Sequence, residues 1–142
     1  MTTSTINRAR NVAAVATLIG GACVLAFWIM YFSSNAALGH GDPAVHAFEA
    51  AFLVADAVFA VVLLAAGVAL LRRRPAGTFL LVAAAAMSLY LALLDLTFYS
   101  RQGLYSVFDG SALMELAVNG LCLGGGLLGL RWGWAFWSRR IA

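Results

Sequence analysis

Apolar residues in this chain fall into four long runs, at 12–32, 44–71, 76–99 and 112–130, separated by short polar breaks. Each run supplies about the ~20 residues that carry a helix across ~30 Å of hydrocarbon. The breaks carry turn chemistry: Gly39-His40-Gly41-Asp42-Pro43 precedes the second run, and Arg72-Arg73-Arg74-Pro75 follows it. The pattern predicts an all-α polytopic membrane protein, a four-transmembrane-helix bundle forming one membrane domain over residues 1–142. Ser34-Asn35-Ala36 has the small-x-small form of a cleavage site. The first run is nevertheless longer than the ~7–15 residues of a secretory signal core, so it is expected to remain as a helix.

Composition strengthens this reading. Of 142 residues, 63% are hydrophobic and 11% charged, with a mean hydropathy of +0.92. A soluble domain carries about 25% charged residues. Every basic residue is arginine. If the runs cross in turn, Arg8, Arg10, Arg72, Arg73, Arg74, Arg131, Arg139 and Arg140 share one side and Arg101 stands on the other. The positive-inside rule then places both termini in the cytoplasm and the loops 33–43 and 100–111 outside. Aromatic residues agree, with Trp28, Tyr31, Phe32, Tyr99 and Tyr105 at the outer interface and Trp132, Trp134 and Trp137 at the inner one. The pI of 9.3 is thus a topology signal, and no nucleic-acid partner is expected. Arginine-only basic usage with abundant Ala and Gly points to a bacterial inner membrane.

Against this apolar background, four carboxylates lie inside the runs: Glu49, Asp56, Asp95 and Glu115. An ionised side chain at the bilayer centre costs ~2.5–3.5 kcal/mol even on an insertion scale, so such residues face cavities, pair, or stay protonated. Helical rise places Glu49 about 8 Å and Asp56 about 18 Å below Ala44, Asp95 about 6 Å below Tyr99, and Glu115 about 5 Å below Ala112. Three acids from three helices would share an outer layer, with Asp56 beneath them near the midplane. Glu49 and Asp56 project from one side of their helix. Asp95 shares a face with Ser88 and Tyr99; Glu115, Asn119 and Cys122 form another stripe. Thr17, Trp28 and Tyr31 would wall the remaining side of an outward-facing acidic funnel.

Other features change the picture less. Gly120/Gly124 and Gly125/Gly129 have the spacing that lets helices approach closely, for packing within the bundle or for a homo-oligomer through the fourth helix. Cys23 and Cys122 belong to no CxxC pair and read as small packing residues. His46 neighbours Glu49 on the helix surface. The two Glu-x-x-His motifs of a four-helix dimetal site are absent, so neither a metal nor an organic cofactor is expected.

The acids support a membrane-embedded acid/base enzyme acting on a lipophilic small molecule by isomerase-, cyclase- or epoxide-opening-type chemistry. Asp56, Glu49, Asp95 and Glu115 are its candidate catalytic residues. Asn119, Tyr99, Trp28, Tyr31, Ser88 and His46 are its candidate substrate contacts. In general shape the chain resembles the four-helix emopamil-binding and sigma-2-like membrane proteins, which carry acids in a lipid-facing cavity. The alternatives are a proton-coupled exporter of cationic or lipophilic compounds and a non-catalytic membrane subunit. Small multidrug-resistance exporters keep their essential Glu in the first helix, where this chain has no carboxylate.

Overall fold

The computed structural model describes residues 3–33, 43–106 and 110–141. Four long α-helices account for nearly all of them: α1 (Thr3–Ser33), α2 (Pro43–Leu71), α3 (Ala76–Arg101) and α4 (Gly110–Ile141), with a single 3-10 turn at Leu104–Ser106. All four are long and apolar enough to cross a membrane, and the chain is all-α among its described residues. Helices α1 and α4 outrun their apolar cores, α1 by starting at Thr3 and α4 by running on through Trp132, Trp134 and Trp137. The 39–42 turn cluster lies outside the described residues.

Large apolar side chains point outward on every helix, among them Ile29, Val54, Phe79, Leu121 and Trp134, each two-thirds or more exposed. Small residues lie inside instead, with Ala13, Ala14, Ala60, Ala66 and Ala112 fully buried. This distribution inverts that of a water-soluble bundle and matches helices whose surroundings are apolar. The hydroxyls follow the same logic. Thr17, Ser33 and Thr97 each donate to a carbonyl of their own helix, at Ala14, Ile29 and Leu93 respectively, which satisfies them without water.

The chain forms two compact units, Met1–Leu80 and Leu81–Ala142. In the first, α1 packs along α2, and glycine sets the approach. A Cβ on Gly67 would stand 2.9 Å from the Ala14 carbonyl, and one on Gly21 would stand 2.8 Å from Leu64 Cγ. The α2–α3 turn is equally tight. Arg73 takes a left-handed φ of 53°; Arg73 and Arg74 donate their backbone N–H groups to Leu70 and Ala69, closing the end of α2. Pro75 then precedes α3, and Gly77 passes so close that a Cβ there would lie 2.7 Å from the Leu70 nitrogen.

In the second unit, α4 meets α3 through Gly126, Gly129 and Gly133, whose added Cβ atoms would fall within 3.0 Å of Leu89, Ala85 and Val82 respectively. Ser88 Oγ adds a 2.8 Å hydrogen bond to the Cys122 carbonyl. Of the pairs expected from spacing, Gly125/Gly129 lends Gly129 to this seam. Gly120, Gly124 and Gly125 have no neighbour within 4 Å of an added Cβ; at 100° per residue Gly120 and Gly124 lie across α4 from the 126–129–133 seam, and Gly125 lies at its edge.

Candidate functional site

Within the first unit, the structure joins two candidates that stand far apart in sequence. Trp28 Nε1 donates to Asp56 Oδ2 at 3.0 Å. The α1–α2 register brings them level: Trp28 lies in the buried stripe of Ala14, Thr17, Gly21, Trp28 and Tyr31, and Asp56 in the stripe that continues through Phe59, Ala60 and Gly67. Trp28 is about 7 Å along the axis from the end of α1 at Ser33, and Asp56 about 22 Å from the end of α2 at Leu71. Asp56 therefore sits toward the Ser33 end of the hairpin rather than at its middle. α2 therefore begins beyond the level of α1's last turn.

Aromatic rings gather at that end of α1. Trp28 meets Tyr31 edge-on at 5.1 Å, Phe27 at 5.6 Å and Phe32 at 5.9 Å. Trp28 and Tyr31 are buried, whereas Phe32 is exposed. On α2, Phe52 lies one turn before Asp56 and contacts Phe48 at 4.6 Å. Asp56 itself is half-buried. Its Oδ2 is occupied by the indole, and Oδ1 has no hydrogen-bond partner among the described residues. An indole N–H donates and never accepts. If Asp56 carries a proton, that proton is therefore on Oδ1, the oxygen left for a ligand.

The side chains of His46 and Glu49 lie outside the described residues. Thr17 is buried on the same face of α1 as Trp28, and its hydroxyl is spent on Ala14.

The second unit holds the remaining candidates. Asp95 is half-buried on α3, with Ser88 and Tyr99 buried on the same helix. Glu115 is half-buried on α4, and Asn119, one turn on, is 1% exposed. Asn119 Nδ2 donates to the Glu115 carbonyl at 3.0 Å. Tyr105 joins them, placed by the end of α3: Gly103 takes a φ of 72° and turns the chain into the 3-10 segment that carries Tyr105. Burial pushes the Tyr105 phenol above its ordinary value, and the Glu115 and Asp95 charges add to the effect. By sequence alone Tyr105 is an interfacial aromatic, since nothing in its spacing marks a loop residue as folding back on α4. Among the described residues no three His, Cys, Asp or Glu side chains cluster to hold a metal. Cys23 and Cys122 form no disulfide among the described residues.

These features define an all-α protein with four apolar, membrane-length helices and carboxylates within them, compatible with a multi-pass membrane protein. More particularly, the chain belongs to the family described as a domain of unknown function, DUF8058, whose profile matches residues 7–120. That match takes in Trp28, Asp56, Asp95, Tyr105, Glu115 and Asn119. Neither the curated proteins nor the solved structures contain a match to this chain.

Proposed function

We infer that this is a multi-pass protein of a bacterial inner membrane that binds a lipophilic small molecule at Asp56 and carries out acid/base chemistry on it. The observation that carries the reading is the Trp28–Asp56 hydrogen bond at 3.0 Å. A carboxyl group among apolar residues is held there by one oxygen, with the other unoccupied among the described residues. The outward-facing apolar side chains support a lipid surround. The arginine distribution supports cytoplasmic termini.

The chemistry follows from the held oxygen. Oδ1–H of a protonated Asp56 donates its proton to an alkene carbon, leaving a carbocation and a carboxylate. The indole N–H stabilises the charge that develops on Oδ2. Loss of a proton from the neighbouring carbon back to Oδ1 yields the shifted alkene, so no other reactant is consumed. Trp28, Tyr31 and Phe52 supply ring faces suited to a cationic centre. Cyclisation would begin with the same proton transfer, and epoxide opening with transfer of that proton to the ring oxygen as its C–O bond breaks.

Native mass spectrometry of protein extracted gently from its membrane tests the reading. The wild type should retain an organic ligand, and Asp56→Asn should lose at least tenfold of it while remaining helical by circular dichroism. Equal retention by the variant would remove Asp56 from the site.

A further inference from the structure

We propose that the end of the first unit where α1 begins and α2 ends is a docking surface for the phosphate headgroup of an anionic phospholipid, held by Arg10 together with Arg72, Arg73 and Arg74. The proposal is independent of the Asp56 reading, since that site lies toward the opposite end of the hairpin. The α1–α2 register is what joins arginines that stand far apart in sequence. Gly67 faces Ala14, Gly21 faces Ala60 and Trp28 faces Asp56, so the two helices run antiparallel. Arg10 stands one turn before Ala14, and Leu71, the last residue of α2, one turn beyond Gly67. Arg10 is thereby level with the Arg72–Arg74 turn, and Arg8 lies about 3 Å further along α1.

The charge gathered there is of one sign. Among the described residues of this unit, the carboxylate nearest to that end belongs to Asp56, about 22 Å along α2 from Leu71. That separation exceeds the ~8 Å over which charges act through physiological salt. The turn also leaves its side chains available. Arg72, Arg73 and Arg74 close α2 with their backbone N–H groups, which donate to the carbonyls of Val68, Leu70 and Ala69, so no guanidinium is needed as a cap. All three side chains are exposed, as is that of Arg8, and Arg10 is half-buried against the hairpin. The planar fork of a guanidinium matches the oxygens of a phosphate.

The neighbouring surface selects a lipid over a soluble anion. Val12, Val68, Leu71 and Phe79 all point outward within two turns of the arginines, and Phe79 is 73% exposed. A free phosphate would gain nothing from these side chains. A phospholipid sets its phosphate against the guanidinium groups and lays its acyl chains along the apolar residues beneath them. Each basic side chain held near an anionic lipid surface contributes about fivefold in binding. The arginine run by itself reads as a topology signal; the register adds Arg10 from another helix and turns a run into a surface with two sides.

The test is native mass spectrometry of the detergent-purified full chain, given equal amounts of phosphatidylglycerol and phosphatidylcholine with identical acyl chains. Phosphatidylglycerol should be retained with at least a fivefold preference, since only the headgroup charge differs. Arg10→Gln and Arg74→Gln should each lower its retention about fivefold, while Arg101→Gln and Asp56→Asn leave it unchanged. Arg74→Lys keeps the charge and should retain most of the lipid, which covers the case in which Arg74→Gln fails to fold. Equal retention of the two lipids would overturn the proposal, as would an equal loss in Arg101→Gln. Sensitivity to Arg74→Gln without sensitivity to Arg10→Gln would remove α1 from the surface and overturn it too. Displacement of the lipid by millimolar inorganic phosphate would give the arginines to a free anion instead.

Discussion

At the scale of single residues, Tyr105 offers a sharp check. Its raised pKa means that the folded chain holds the phenolic proton more tightly than the unfolded chain does. The stability it contributes is present below the ordinary value near 10.0 and is lost as pH rises through the higher folded value. A spectrophotometric titration in detergent, with Tyr105→Phe subtracted, should show this tyrosine ionising later than an ordinary one. Ionisation at or below the ordinary value would contradict the buried placement. Ser88→Ala removes the bond to the Cys122 carbonyl. It should cost only about 0.6 kcal/mol, the average for interhelical hydrogen bonds in membranes, measured by unfolding in denaturing detergent. What sequence could supply here was residue type and face. It named Asp56, Trp28 and Asn119, because an acid or amide in an apolar run is conspicuous. It could not pair Trp28 with Asp56, since that depends on how far one helix slides along another.

At the scale of elements, glycine position decides which substitutions the helices tolerate. Gly77→Ala should be the most damaging, because its Cβ would strike the backbone nitrogen of Leu70 and overpacking of this kind costs about 1–3 kcal/mol. Gly124→Ala meets open space and should be neutral or slightly stabilising, by up to about 1 kcal/mol of helix propensity. Thermal unfolding of the two variants side by side checks the order, and similar losses would mean that α4 packs differently. The helices themselves were legible from the runs, since length and hydropathy settle whether a segment is long and apolar enough to span. The glycine seam was not. Small-xxx-small spacing occurs on several faces of α4, and only the partner residues Ala85, Leu89 and Val82 distinguish the 126–129–133 face.

At the scale of the whole molecule, the arginine pattern makes a prediction about topology. Reporter fusions to either terminus should both report the cytoplasm, and replacing Arg72, Arg73 and Arg74 with Gln should produce mixed orientations, since those residues carry much of the bias. Reporters on opposite sides would refute a four-crossing path. The family match ends at residue 120, before the glycine seam begins. A chain cut there would keep the four candidate acids and Trp28, Tyr31, Tyr99 and Tyr105, but lose the contacts of Gly126, Gly129 and Gly133 with α3.

The indole held against Asp56 also makes the protein its own optical probe. The other tryptophans, at 132, 134 and 137, lie together near the end of α4, so Trp28 alone has a carboxyl oxygen within 3.0 Å among the described residues. A charge appearing or vanishing at that distance shifts the energy of the ring's excited state. The emission difference between wild type and Trp28→Phe should therefore follow both the titration of Asp56 and the arrival of any colourless ligand at Oδ1, with no label attached.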